Sequence, residues 1–193
     1  MAGARAVDVA VDVAVLVGSL RKESLTRKVA MAMKGLAPPS LALEIVEIRD
    51  LPMYDQDLET ETPPRAWVDF RDRIKRADAL LFATPEYNRS VPGCLKNAVD
   101  VGSRPPGNTV FNGKPGAIVS VTPYGLGAFG ANHHLRQALV YVNVLTMAQP
   151  EAYISQARDL VDENFRITKD ASREFFTKFL NAFAAWIELT RKK

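Results

Sequence analysis

Ser19, Arg21 and Ser24 lie in one short loop, Gly18-Ser-Leu-Arg-Lys-Glu-Ser24, between the apolar run Val11 to Val17 and a helical pattern that opens at Ser24. Two hydroxyls can donate hydrogen bonds there, and a guanidinium offers a planar fork matched to phosphate oxygens. The first amides of a helix lack intrahelical acceptors and sit at the positive end of its dipole, so a helix start beside such side chains attracts anions. The combination predicts a cradle for a phosphorylated cofactor. The alternative is an ordinary strand-to-helix turn, with Ser24 as a helix cap and Arg21 in solvent. Spacing argues against two other phosphate loops. The chain has no G-x-x-x-x-G-K-[ST], and no G-x-G-x-x-G follows the strand.

Two later loops carry groups suited to a flat ligand. Thr84-Pro-Glu-Tyr-Asn-Arg-Ser-Val-Pro-Gly93 is stiffened by prolines and presents Tyr87 as a flat face. Backbone around Glu86 to Asn88 offers donors and acceptors to a planar heterocycle with polar edges. Thr122-Pro-Tyr-Gly-Leu-Gly-Ala-Phe-Gly130 has glycines that let backbone approach a ligand, and Tyr124 as a second aromatic wall. Each loop also reads as a plain surface turn with one exposed tyrosine.

These loops need a scaffold that brings them together. Strand-like and helical patterns alternate along the chain. Strands are expected at Val11 to Val17, Leu43 to Ile48, Ala79 to Ala83, Gly116 to Val121 and Val144 to Met147. Helices are expected from Leu25 until Gly35 and Pro38-Pro39, from Arg65 to Arg76, Pro92 to Val101 and Gly130 to Val142, with a closing helix around Phe175, Phe179, Phe183 and Trp186. Such alternation implies an α/β fold, a parallel sheet covered on both faces. Five strands point to a flavodoxin-like three-layer α/β/α sandwich of strand order 2-1-3-4-5. Ligands of such sheets bind outside the carboxyl ends of the strands at the switch point, which selects the loops after the first, third and fourth strands.

Composition sets bounds. The chain has 193 residues, 47% of them hydrophobic and 24% charged, as expected of a globular domain. Residues 1–8 read as a short tail, too brief and weakly apolar for a signal peptide, and 9–190 as one domain. No apolar run approaches the roughly 18 residues of a membrane span, so no membrane partner is expected. A net charge of +3 without basic clusters, apart from Arg191-Lys-Lys193, gives no support for nucleic-acid binding. Cys94 is the lone cysteine, which excludes an intrachain disulfide and suits a cytoplasmic setting. It sits at a helix start, where a thiol pKa can fall, but packing is the expected role. His133 and His134 are adjacent and so point about 100° apart on a helix, which disfavours a shared metal. A helix face with one partly buried imidazole is expected instead.

The chain resembles the NADPH-dependent FMN reductase family, near its quinone and chromate reductase branch. The resemblance rests on Gly18-Ser-Leu-Arg-Lys-Glu-Ser24, Leu51-Pro-Met-Tyr-Asp55, Thr84-Pro-Glu-Tyr-Asn88, Ser90-Val-Pro-Gly93 and Leu95-Lys-Asn-Ala-Val-Asp100. It implies that Ser19, Arg21 and Ser24, helped by Leu25 and Thr26, hold the FMN phosphate. Pro85, Glu86, Tyr87 and Asn88 would line the isoalloxazine and bind its polar edge largely through backbone. Thr122, Pro123, Tyr124 and Gly125 would flank the ring from the other side. NADPH or NADH would give a hydride to flavin N5, and a small-molecule acceptor would follow in a ping-pong cycle. Quinones, free flavin, azo compounds and metal oxyanions such as chromate are the acceptors implied. No protein acid or base is needed for hydride transfer, so no catalytic side chain is nominated. A flavodoxin-type FMN-binding electron carrier, or a redox-sensing module, is the alternative. The resemblance also implies a homodimer or tetramer. Arg89, Thr122-Pro123 and Ala128-Phe129 depart from the family pattern. The acidic run Asp55, Asp57, Glu59 and Glu61 lacks a calcium-loop pattern and is expected to be a solvated loop near the flavin edge.

Overall fold

The computed structural model describes residues 10–191, so the tail read at 1–8 lies outside the described residues. The sheet strands are β1 (Val11–Val17), β2 (Leu41–Val46), β3 (Ala79–Thr84), β4 (Pro115–Val121), β5 (Leu145–Thr146) and β6 (Ala152–Ile154). The helices are α1 (Leu25–Leu36), α2 (Arg65–Arg76), α3 (Gly93–Gly102), α4 (Phe129–Tyr141) and α5 (Asp170–Thr190). Pairing is parallel throughout, in the order β2-β1-β3-β4-β5, with β6 also on β4.

Period-2 alternation divides β1 between two cores. Val13, Val15 and Val17 pack toward α1 and α5, where Val29, Met33, Phe176, Phe179 and Phe183 are buried. Ala14 and Leu16 point to the opposite face, among Trp67, Phe70 and Ile74 of α2, Leu95 of α3 and Leu135 of α4. The central strands β1, β3 and β4 are thus buried on both sides, which is why β3 reads as an unbroken apolar run, Ala-Leu-Leu-Phe-Ala. The parallel registers Val17↔Ala83, Thr84↔Ser120 and Val121↔Ile154 bring the carboxyl ends of β1, β3, β4 and β6 to one edge.

The structure corrects the expected elements in three places. Strand β2 begins at Leu41 and ends at Val46, earlier than Leu43 to Ile48, because the buried-exposed alternation already starts at Leu41, with Leu41 and Leu43 inward and Ala42 and Glu44 outward. Helix α1 runs through Gly35 to Leu36, so the prolines that follow, and not the glycine, end it. The expected fifth strand, Val144 to Met147, shortens to Leu145–Thr146, and an unexpected sixth strand follows at Ala152–Ile154. β5 pairs with the start of β4 at Pro115 and Gly116, and β6 pairs with its end at Val119 to Val121. Pro150, which has no N–H to donate to a ladder, lies between them.

Loop Leu51-Pro-Met-Tyr is fastened to α3 by one buried amide. Asn97 Nδ2 donates to the carbonyls of Leu51 (3.3 Å) and Pro52 (3.0 Å), and Asn97 Oδ1 accepts from Tyr54 N–H at 2.8 Å. Trp67 Nε1 donates to the same Pro52 carbonyl at 3.0 Å.

Candidate functional site

The loop after β1 is built around a close approach. Gly18 N–H donates to Ala83 O at 2.8 Å, closing the strand end. A Cβ on Gly18 would lie 3.0 Å from Leu95 Cδ2 and 3.3 Å from Pro85 Cδ, so a larger residue would push the end of β1 away from α3 and the loop after β3. Beyond it, the Leu20 carbonyl accepts a hydrogen bond from the Arg49 guanidinium. Ser24 is buried, and its Oγ accepts from Arg27 N–H at 3.1 Å, an N-cap for α1. The capping hydroxyl uses a lone pair for Arg27 and keeps its own hydrogen to donate. The amides of Leu25 and Thr26, the first two of the helix, have no intrahelical acceptor. Ser24 caps the helix, and its hydroxyl hydrogen remains free to donate.

The loop after β3 folds back as a tight hairpin. Tyr87 and Ser90 exchange backbone hydrogen bonds of 3.2 and 2.9 Å around Asn88 and Arg89, whose φ values are +50° and +63°. Two successive positive φ values define a primed turn, which asparagine accepts readily and arginine does not. Glu86 reaches from this loop to the next: its Oε2 accepts from Ala131 N–H at 3.0 Å. Helix α4 has Ala128 at its N-cap, with φ +56° and no capping side chain of its own. Ala131 is the third residue of α4, whose amide a local cap would take, so Glu86 caps α4 from another loop. Gly130 leaves room for this contact; a Cβ there would meet Arg89 O at 2.6 Å and Glu86 Oε2 at 3.0 Å. Arg89 Nη1 lies 3.6 Å from Glu86 Oε1, and its side chain is otherwise exposed.

The loop after β4 is held from both sides. Buried Ser120 Oγ donates to Gly127 O at 2.6 Å, and buried Asn132 Nδ2 donates to Ser120 Oγ at 3.2 Å. Thr122 N–H donates to Ile154 O (2.9 Å), Ala157 N–H to Thr122 O (3.1 Å) and Gln156 N–H to Tyr124 O (3.0 Å). The segment after β6 is thereby stitched to the third loop.

A groove of about 540 Å³ runs between these loops. It lies within the range usual for cofactor sites. Ser19, Arg21, Ser24, Leu25 and Thr26 line one end; Pro85, Glu86 and Tyr87 line the second wall; Thr122, Pro123 and Tyr124 line the third. Asn88 and Gly125 are outside this lining: Asn88 serves the hairpin turn, and Gly125 follows Tyr124 away from the groove. Tyr87 and Tyr124 are 54% and 71% exposed, so two aromatic faces stand at an open mouth. The groove also takes in Glu23, Lys28, Val121 and Arg158, which sequence reasoning missed. Glu23 and Lys28 form an ion pair of 3.0 Å, and Lys28 holds the Glu23 carboxyl below its ordinary pKa. Arg158 follows β6, and its only sequence signal is the short apolar run Ala152-Tyr-Ile154 before it.

Three other expectations change. Cys94 is half-buried near the start of α3, and burial pushes its thiol pKa up, against the lowering that a helix start alone would give. Both His133 and His134 are exposed, not one partly buried. His133 Nε2 meets Tyr153 Oη at 2.9 Å, while Tyr153 donates to Glu151 Oε1 at 2.7 Å. His134 Nδ1 meets Ser90 Oγ at 3.0 Å. In the acidic run, Glu59 is not solvated; Arg71 clamps its carboxylate with bonds of 2.8 and 2.7 Å.

A helix start with unpaired amides and a two-tyrosine mouth lie at the switch point of a 2-1-3-4-5 sheet, the arrangement of a flavodoxin-like protein. Comparison with known proteins narrows this. The sequence model of the NADPH-dependent FMN reductase family matches residues 11–159, and the chain belongs to that family of FMN- and NAD(P)H-using oxidoreductases. The chain is 57% identical to a quinone reductase of Pseudomonas putida over 93% of its own length and 96% of the relative's. It is 42% identical to a 2-hydroxy-1,4-benzoquinone reductase of a Burkholderia species, over 92% and 97% of the two chains. The solved structure of FerB, a flavoenzyme NAD(P)H:(acceptor) oxidoreductase from Paracoccus denitrificans, superposes with a TM-score of 0.89 at 39% identity, covering 93% of this chain and 98% of FerB.

Proposed function

We propose that this protein is an FMN-dependent NAD(P)H:quinone oxidoreductase, with FMN held in the groove between the loops after β1, β3 and β4. The observation that carries the reading is the groove's polarity: helix amides, hydroxyls and Arg21 at one end, and two exposed tyrosines at the other. The residues present fit the cofactor. The α1 start offers the Leu25 and Thr26 amides and the Ser24 hydroxyl to a phosphate, and Arg21 forms no ion pair with another of the described residues. Ser19, Arg21, Ser24, Leu25 and Thr26 hold the phosphate. Pro85, Glu86 and Tyr87 border the ring on one side, and Thr122, Pro123 and Tyr124 on the other.

FMN, when bound, takes a hydride from NAD(P)H and passes electrons to an acceptor. The chain's contribution is position and electrostatics. Backbone N–H groups of the loop after β3 would offset the negative charge of a reduced ring held there. The open mouth lets nicotinamide and acceptor use one ring face in turn, which supports a ping-pong order. Planar quinones suit that mouth best; free flavin, azo compounds and metal oxyanions such as chromate are further candidates. Exposed Val140 and Tyr141 at the end of α4 support assembly as a homodimer or tetramer. The lone, half-buried Cys94 suits work in the cytoplasm.

The test is anaerobic stopped-flow reduction of the purified FMN protein by NADPH and by NADH, followed by mixing with benzoquinone. Bleaching by nucleotide and rapid return of colour with quinone support the reading. A flavin that neither nucleotide bleaches refutes it and leaves an electron carrier.

A further inference from the structure

The groove has one more cation than an FMN phosphate requires. Arg21 and the α1 start serve a phosphate at one end, and Lys28 is already paired with Glu23 at 3.0 Å. Arg158 lines the same groove from the segment after β6, and it makes no ion pair and no side-chain hydrogen bond among the described residues.

Arg158 is not on a loose loop. Its turn, Ala157–Asp159, is a single 3₁₀ turn with Ala157 buried. The amides of Gln156 and Ala157 donate to Tyr124 O and Thr122 O at 3.0 and 3.1 Å. On its far side, Thr168 Oγ1 donates to Asp159 O at 2.7 Å. The turn that carries Arg158 is thus tied by backbone bonds to the loop that carries Tyr124, and the exposed side chain lines the groove. A rigid turn with an unpaired fork, fixed relative to the mouth, suits a phosphate monoester on a ligand that reaches the mouth and extends beyond it.

NADPH has that shape and charge, and NADH lacks the extra phosphate. We infer that Arg158 recognises the 2′-phosphate of NADPH and sets the preference of the site for NADPH over NADH. The inference rests on the proposed use of NAD(P)H at this groove. Arg158 acts here through substrate contact alone and takes no part in hydride transfer.

The test uses the FMN-loaded protein and its Arg158→Gln and Arg158→Lys variants. Calorimetric titration with 2′,5′-ADP and with 5′-AMP gives a binding readout independent of turnover. Arg158→Gln is expected to weaken 2′,5′-ADP by about tenfold to a hundredfold, the range for a charge-assisted hydrogen bond, and to leave 5′-AMP unchanged. Arg158→Lys, which keeps the charge and loses the fork, should fall between. In steady state, the KM for NADPH rises in Arg158→Gln with kcat nearly unchanged, and the NADH parameters stay put. Equal loss with both nucleotides, no change with either, or a matching fall in FMN affinity would overturn the inference. Failure of the flavin to be reduced by either nucleotide in the unmodified protein would instead strike the proposed function, and the 2′,5′-ADP titration would still decide the role of Arg158.

Discussion

Removing the Glu86 carboxylate tests whether the loops after β3 and β4 are coupled through the start of α4. The side chain is 14% exposed, and its Oε2 takes the Ala131 amide at 3.0 Å. Loss of a capping oxygen costs about 0.5–2 kcal/mol. A negative charge at a helix N-terminus adds about 0.3–1 kcal/mol, and more when partly shielded from water. Glu86→Ala loses both contributions and should destabilise by about 2 kcal/mol. Glu86→Gln keeps an acceptor and loses only the charge, so it should cost about 0.3–1 kcal/mol. With an m-value of about 2 kcal/mol/M, Glu86→Ala moves the urea midpoint down by about 1 M. The assay is urea unfolding of the FMN-free protein, which isolates the loop contact from the cofactor. A second readout is FMN affinity, expected to fall in Glu86→Ala because the Tyr87 hairpin loses its anchor. The reasoning is refuted if Glu86→Ala unfolds within about 0.3 M of the parent, or if Glu86→Gln is as damaged as Glu86→Ala.

Three further outcomes are expected. Arg21→Ala should weaken FMN by about tenfold or more in flavin-fluorescence titration, with the loss shrinking as salt rises; unchanged affinity removes Arg21 from the phosphate end. Asn97→Ala strands the Leu51 carbonyl and the Tyr54 amide in a part-buried site, while Trp67 still serves the Pro52 carbonyl, and should lower stability by about 1–3 kcal/mol in the same unfolding assay. Tyr153, pushed from 10.0 up to about 12 by burial and by its bond to Glu151, keeps its proton longer in the folded state. Below pH 10 both states hold that proton; above it the unfolded chain ionises first, so stability falls as pH rises toward about 12. Tyr153→Phe should flatten that part of the pH–stability curve.

Helix α2 and the sheet order were legible in the sequence because both rest on strong patterns. The apolar stripe Trp67, Phe70 and Ile74 repeats at helical spacing, and alternating elements leave few ways to order a parallel sheet. β6 was not legible, because three residues give no period to detect, and Arg158 was lost with it. Of the site, Ser24 and Tyr87 were accessible from loop position alone. The carboxylate role of Glu86 was hidden, since it depends on α4 lacking its own cap, a fact of Ala128 backbone geometry. The resemblance motifs Leu51-Pro-Met-Tyr-Asp55 and Leu95-Lys-Asn-Ala-Val-Asp100 looked independent in sequence. The structure makes them one unit, joined by the three hydrogen bonds of Asn97.

The cross-ties around the groove bear on how it works in time. Glu86 binds the second loop to α4, Ser120 binds the third loop to its own return at Gly127, and the segment after β6 is laced to Thr122 and Tyr124. A rim fastened at so many points has no hinge about which one wall could swing. Entry and departure then need no gating motion, and the slow step of each turnover is expected to fall to the chemistry. Solvent viscosity, which slows lid movements, should leave such a rate nearly untouched.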